Sequence, residues 1–172
     1  TQVLDSNFLN DGDVTTAFEQ RIAALFGASH AVATTSGTTA IFLAVAAAGA
    51  GPGDEVIVPD VTFIATANAV RLTGATPVLV DIDPATLNID VEQVRQAITP
   101  YTKAIVPVHV SGRGADMDAL MALGREHGVA VIEDAAEALL SRSRGRQLGT
   151  IGQAGCLSFS PNKTITTGQG GI

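Results

Sequence analysis

Short apolar runs alternate with longer alanine-rich or amphipathic runs along this chain, and glycine or proline separates most of them. HAVATT (30–35), DEVIVP (54–59), TPVLVDI (76–82), KAIVPVHV (103–110), VAVIED (129–134) and GCLSFS (155–160) read as strands. They are rich in Val and Ile and show no clear polar alternation, the pattern of strands covered on both faces. Between them SGTTAIFLAVAAAGA (36–50), TFIATANAVRLTG (62–74), DVEQVRQAI (90–98) and DMDALMALGREHG (116–128) read as helices. Gly74 stops the second and Pro100 closes the third, while Asp116 and Gly128 suit the N-cap and C-cap of the fourth. Strand and helix in strict alternation predict an α/β fold, a doubly wound and mainly parallel sheet. Residues 1–30 supply an N-terminal segment and helix, and 31–172 the sheet domain.

Composition narrows the function classes. At 172 residues and 46% hydrophobic, the chain is long and apolar enough for one proper core. A net charge of −7 gives no basic face for a phosphate backbone, so nucleic acid is not expected as a partner. The longest apolar stretch, AIFLAVAAAGAG, is too short to span a bilayer, and no membrane partner is expected. TQVLDSNFLNDGD lacks the charged and apolar regions of an export signal. The single cysteine, Cys156, fits a reducing, cytoplasmic compartment. His30, His109 and His127 are scattered without metal-ligand spacing, and no metal site is expected.

In parallel sheets, ligands bind beyond the carboxyl ends of the strands. Three polar clusters follow such ends: TSGTT, EDAAEA and SFSPNK. Of the two lysines, Lys103 precedes its strand and Lys163 follows one. A loop lysine is ordinarily a solvated charge. At the ligand edge it becomes a nucleophilic amine once desolvation or a neighbouring cation takes its proton. The glycines at 168, 170 and 171 let backbone approach a planar ligand closely. Asp134 closes VAVIED. Such a carboxylate commonly caps a turn, and beside a pyridine nitrogen it favours the protonated ring. A lysine Schiff base with an aspartate on the ring nitrogen, at adjacent strand ends, is the pairing of pyridoxal 5′-phosphate (PLP) chemistry. Ser36, Thr38 or Thr39 caps the first helix of the sheet domain. The N–H groups at Gly37 and Thr38 can also face a phosphate, with the Ser158 hydroxyl nearby. Neither a Walker loop nor G-x-G-x-x-G is present, so a dinucleotide oxidoreductase is disfavoured. Phe63 sits just past a strand end, where a phenylalanine is either core or a stacking partner for a ring.

These stretches, SGTTA, GPGDEVIVPDVTFIATANAV, GATPVLVDID, VIEDAAEA and SFSPNK…TGQGG, resemble the DegT/StrS-type PLP-dependent sugar aminotransferases, nearest the branch with perosamine synthases. The resemblance runs from about Phe18 to Ile172. It implies the large domain of the fold type I PLP-dependent transferases. It also implies that the family's last sheet strand, begun at GGI, and a C-terminal small domain lie outside this chain. By the same resemblance Lys163 joins the cofactor, Asp134 holds the pyridine nitrogen and Phe63 stacks on the ring. Gly37, Thr38 and Ser158 hold the phosphate, and Glu137 lies near the ring hydroxyl. The implied reaction converts a nucleotide-linked ketosugar to an aminosugar with an amino-acid donor, glutamate, in a homodimer. Gln169 stands where the family's usual motif has glutamate, and Ser111 and Arg113 depart from its LYG pattern, which bears on substrate choice. Two other readings share the residues: another fold type I PLP enzyme, and a binding or regulatory protein that keeps the fold without turnover.

Overall fold

The computed structural model describes residues 2–6 and 12–172. Helices α1 (Gln2–Asp5), α2 (Asp13–Phe26) and α3 (Gly37–Ala47) come first. Then follow β1 (Glu55–Pro59), α4 (Ala65–Leu72), β2 (Thr76–Val80), α5 (Val91–Ala97), β3 (Thr102–Ile105), α6 (Met117–His127) and β4 (Ala130–Asp134). A tight hairpin, β5 (Arg142–Ser143) and β6 (Arg146–Gln147), leads to β7 (Ala154–Cys156). The main sheet has the order β2-β1-β3-β4-β7, and every neighbouring pair is parallel. The α/β expectation holds.

Both faces of the sheet are covered, which is why its strands lack polar alternation. Val56, Val58, Ala104, Val106 and Ile132 pack with Ile41 and Val45 of α3 and Ala69 and Val70 of α4. Their neighbours Ile57, Ile105 and Val131 point the other way, onto Val94 of α5 and Leu120 and Leu123 of α6. Successive side chains of a strand alternate between faces. Helices lie on one face after β1 and on the other after β2 and β3, so the winding reverses between β1 and β3. The crevice at that reversal, beyond the carboxyl ends, is where such sheets take ligands.

Local chemistry sets the helix starts. Ser36 Oγ accepts the Thr39 N–H at 3.1 Å, Asp90 takes those of Glu92 and Gln93, and Asp116 takes that of Ala119. Each cap satisfies a donor the helix leaves open, typically worth about 1 kcal/mol.

Strands come out shorter than the pattern predicts, among them 30–35, 103–110 and 155–160. In 30–35 the ladder is a single antiparallel bridge, Thr34 with Gly171, made by N–H···O bonds of 2.9 and 3.0 Å. Gly171 bridges Ser158 on its other side. β3 ends at Ile105 because Pro107 has no N–H to give. Pairing resumes beyond it: the His109 N–H donates to Asp134 O at 3.0 Å, and the Asp134 N–H to Pro107 O at 2.9 Å.

Ile22 and Phe26 of α2 pack on Leu157, Phe159 and Ile172, and Phe18 meets Phe159 edge to face at 5.5 Å. Burying a ring of this size contributes about 1.5–3 kcal/mol. Gly155 of β7 is pressed on the Gly149 carbonyl, which an added Cβ would meet at 2.0 Å. Gly155→Ala is therefore expected to cost at least about 1–3 kcal/mol, read as a lowered urea midpoint at unchanged slope. Among the described residues no helix is long and apolar enough to cross a membrane.

Candidate active site

Three carboxyl ends converge on one patch. β4 delivers Asp134 as its last residue. β7 is followed by Ser158 and, after a turn closed by Lys163 N–H to Ser160 O at 3.0 Å, by Lys163. β1 is followed by Phe63 and Thr66.

Asp134 is 5% exposed and faces α4. Its Oδ2 accepts from the Thr66 hydroxyl at 2.8 Å and its Oδ1 from the Ala136 N–H at 3.1 Å. Burial pushes the carboxyl's pKa up. The Thr66 and Ala136 hydrogen bonds and the Lys163 charge oppose this, and burial wins. Lys163 follows β7, the strand that pairs with β4, so it leaves the sheet at the same carboxyl edge as Asp134. Lys163 is buried for most of its length, its side chain 14% exposed. Its Nζ lies 3.4 Å from Glu137 Oε1, and the other Glu137 oxygen accepts the Ser111 N–H at 2.9 Å. Ser111 sits in left-handed backbone, φ 51°, inside a single 3-10 turn after β3. Glu137 thus links the end of β3 to the lysine.

The first turn of α3 forms the opposite wall. Gly37 is buried against Ser158, whose Cβ an added Cβ would meet at 2.8 Å. Thr38 is half-buried beside it. Ser36, Thr39 and Thr35 hydroxyls hydrogen-bond one another there, and Ser158 Oγ donates to Ser160 Oγ at 3.1 Å. Free N–H groups, a helix dipole and hydroxyls make this end suited to an anion. Phe63 is 75% exposed. Its carbonyl accepts the Thr66 N–H at 3.2 Å, which ties the ring's backbone to the Asp134 partner.

The structure therefore gathers Lys163, Asp134, Glu137, Ser158 and Gly37, with Thr38 and Phe63 at the margin. Sequence reasoning passed over Thr66, hidden in a run read as a packing helix, and the backbone of Ser111. It also passed over His109 and Glu133, which lie behind Asp134 on the other face of the sheet. A separate groove of about 640 Å³ runs between α2, α3 and β7, lined mainly by apolar side chains; neither Lys163 nor Asp134 borders it.

A lysine, a buried carboxyl and a helix start suited to an anion are the parts a pyridine phosphate requires. The family model of the DegT/DnrJ/EryC1/StrS aminotransferases matches residues 1–172. The chain belongs to this family. Among relatives of this aminotransferase chain, the spore coat polysaccharide biosynthesis protein SpsC of Bacillus subtilis is 49% identical over 100% of the chain and 44% of its own length. GDP-perosamine synthase of Caulobacter vibrioides is 48% identical over 99% of the chain and 46% of its own length. The chain spans about half the length of the curated relatives it matches. An aminotransferase from Psychrobacter cryohalolentis superposes with a TM-score of 0.94 at 42% identity, over 99% of this chain and 44% of that one. The family and its structural neighbours are PLP-dependent aminotransferases, and the residues gathered here fit that cofactor.

Proposed function

We propose that the full-length protein is a PLP-dependent aminotransferase that converts a nucleotide-linked ketosugar to an aminosugar, with glutamate as donor. What supports this is the placement of buried Asp134 at the end of β4 and of Lys163 after the neighbouring β7, at one carboxyl edge of the sheet, with the α3 start packed on Ser158. PLP, when bound, supplies an aldehyde carbon for an amine and a ring that accepts electrons.

The chain's own residues divide the work. Asp134, held by Thr66 and Ala136, would hold the ring nitrogen, where a positive ring favours its ionised form. The α3 N–H groups at Gly37 and Thr38 and the Ser158 hydroxyl would hold the phosphate, and Phe63 would stack on the ring. Glu137 holds Nζ in the free protein. Lys163 would supply the amine that attaches the cofactor and, when free, the base for the proton at the donor's α-carbon. Val61, Phe63 and Ile64 are exposed at the rim. An apolar rim of this kind supports a homodimer in which a second copy completes the pocket. The single thiol, Cys156, is buried and free, in keeping with a cytoplasmic protein.

Spectral titration of the full-length protein tests the reading. Added PLP is expected to give a visible band that borohydride fixes to the protein. Glutamate is expected to bleach it, and a nucleotide-linked ketosugar to restore it. A protein that gives no band and no fixed adduct overturns the proposal. A band that glutamate bleaches but no nucleotide-linked ketosugar restores overturns the substrate class alone.

A further inference from the structure

Glu133 and Asp134 are consecutive, so the sheet turns them to opposite faces. Asp134 faces α4, where Thr66 donates to it. Glu133 faces the other layer and is 0% exposed. Its carboxylate accepts four N–H bonds: His109 Nε2 at 2.8 Å, Gly149 N at 2.8 Å, Ile151 N at 2.5 Å and Gly152 N at 2.7 Å. These fill the acceptor sites of an ionised carboxylate. Burial pushes its pKa up, but His109 and the backbone donors pull it below the usual carboxylate range. His109 is also 0% exposed. The Ala115 N–H donates to its Nδ1 at 3.2 Å, so Nδ1 accepts and Nε2 carries the hydrogen given to Glu133.

Stability alone does not account for such a pair. Well-packed apolar residues of similar volume commonly serve a core as well or better than buried polar pairs. What the pair does is join three segments that carry the site. His109 grips Asp134 from the next strand through its backbone N–H, and two residues later Ser111 anchors Glu137. Residues 149–152, fastened by Glu133, lead directly into β7 and so to Ser158 and Lys163.

We propose that His109 and Glu133 are positioning residues that fix the spacing between the Asp134 carboxylate and the Lys163 amine from behind the sheet. The inference rests on the cofactor reading above. Neither residue touches the site. They act by holding the strand ends of β3, β4 and β7 in one register. A gap of this kind is what a ring bracketed at both ends measures.

The test uses full-length protein with PLP and glutamate. Glu133→Gln places an amide NH₂ against backbone donors, and His109→Leu removes the donor to Glu133. Both are expected to weaken PLP binding about tenfold or more and lower kcat roughly 10–100-fold, the scale of a small misplacement of reacting groups, with the KM for glutamate within about twofold. His109→Gln, whose amide can accept from Ala115 and donate to Glu133, is expected to restore both quantities to near wild type. Variants that lose thermal stability yet bind PLP and turn over as wild type overturn the inference, as does a His109→Gln protein no better than the leucine variant. Should the first two fail to fold, His109→Asn, with a shorter amide, decides: raised PLP Kd supports the inference, and a wild-type Kd or failure to fold assigns the pair to stability alone and overturns it. Wild-type protein that forms no borohydride-fixed adduct overturns the cofactor reading itself, a distinct outcome.

Discussion

Lys163→Ala in the full-length protein is expected to abolish borohydride-fixed attachment of PLP and to lower transamination at least about 10²–10⁴-fold, the scale of one lost proton-transfer group. The argument rests on position. Lys103, the other lysine of residues 1–172, is the second residue of β3, at the opposite edge of the sheet, and pairs with Asp54 at 4.0 Å. Within residues 1–172 no second lysine lies at the ligand edge. Stability should barely change, because the Lys163–Glu137 pair is partly exposed at the Glu137 end and such pairs contribute about 0–1 kcal/mol. The two readouts separate a reactive amine from a structural one. An alanine variant that still fixes PLP at this site, or that unfolds while the chemistry per folded molecule persists, contradicts the role given to Lys163.

The parallel sheet was legible because burial on both faces leaves a direct mark on composition, as in EVIVP and VIED. Helix starts were legible where a cap side chain sits next to the first turn, as at Ser36 and Asp116. Lys163 and Asp134 stood out because a parallel sheet sends every carboxyl end to one side, so order along the chain already sorts residues by edge. What stayed hidden depends on neighbours across the sheet. His109 and Glu133 are 24 residues apart along the chain, and spacing rules see only nearby turns of a helix or the next rung of a strand. Glu133 read as one more strand position because the adjacent Asp134 had the visible role. The hairpin of β5 and β6 escaped for a related reason. Its strands have two residues each and no apolar alternation, and Asp118 of α6 fastens it through ion pairs to Arg144 and Arg146.

The end of β4 thus holds two buried carboxyls in contrasting states. Glu133 is surrounded by donors and held ionised, while burial favours the protonated form of Asp134. Glu133 therefore contributes stability above the ordinary carboxylate range, and this is lost as pH falls through its lowered folded value. For Asp134 the sign is reversed.

Asp134→Asn tests that reversal and has the larger consequence for function. Because its folded pKa is raised, Asp134 contributes stability that is complete below its unfolded value, about pH 3.9, and is lost as pH rises through the raised folded value. In the cofactor-free protein burial disfavours the charged form of Asp134. Asparagine removes the charge, keeps the shape, and can still accept the Ala136 N–H while its amide donates to Thr66 Oγ1. Denaturant unfolding of the cofactor-free, full-length variant should therefore show a gain of about 0.5–2 kcal/mol at pH 7, shrinking toward zero near pH 4. Turnover should move the other way, falling on the order of 10²–10³-fold, because the preorganised charge that keeps the ring nitrogen protonated, and the ring able to accept electrons, is lost. PLP should bind more weakly, while Lys163 still fixes it under borohydride. A variant destabilised equally at both pH values would place Asp134 among purely structural hydrogen bonds. One that turns over like wild type would remove it from the ring nitrogen. Under the proposed function the opposed shifts, firmer fold and weaker catalysis, have one source: a carboxyl whose burial disfavours its charge would be matched to a cationic ring.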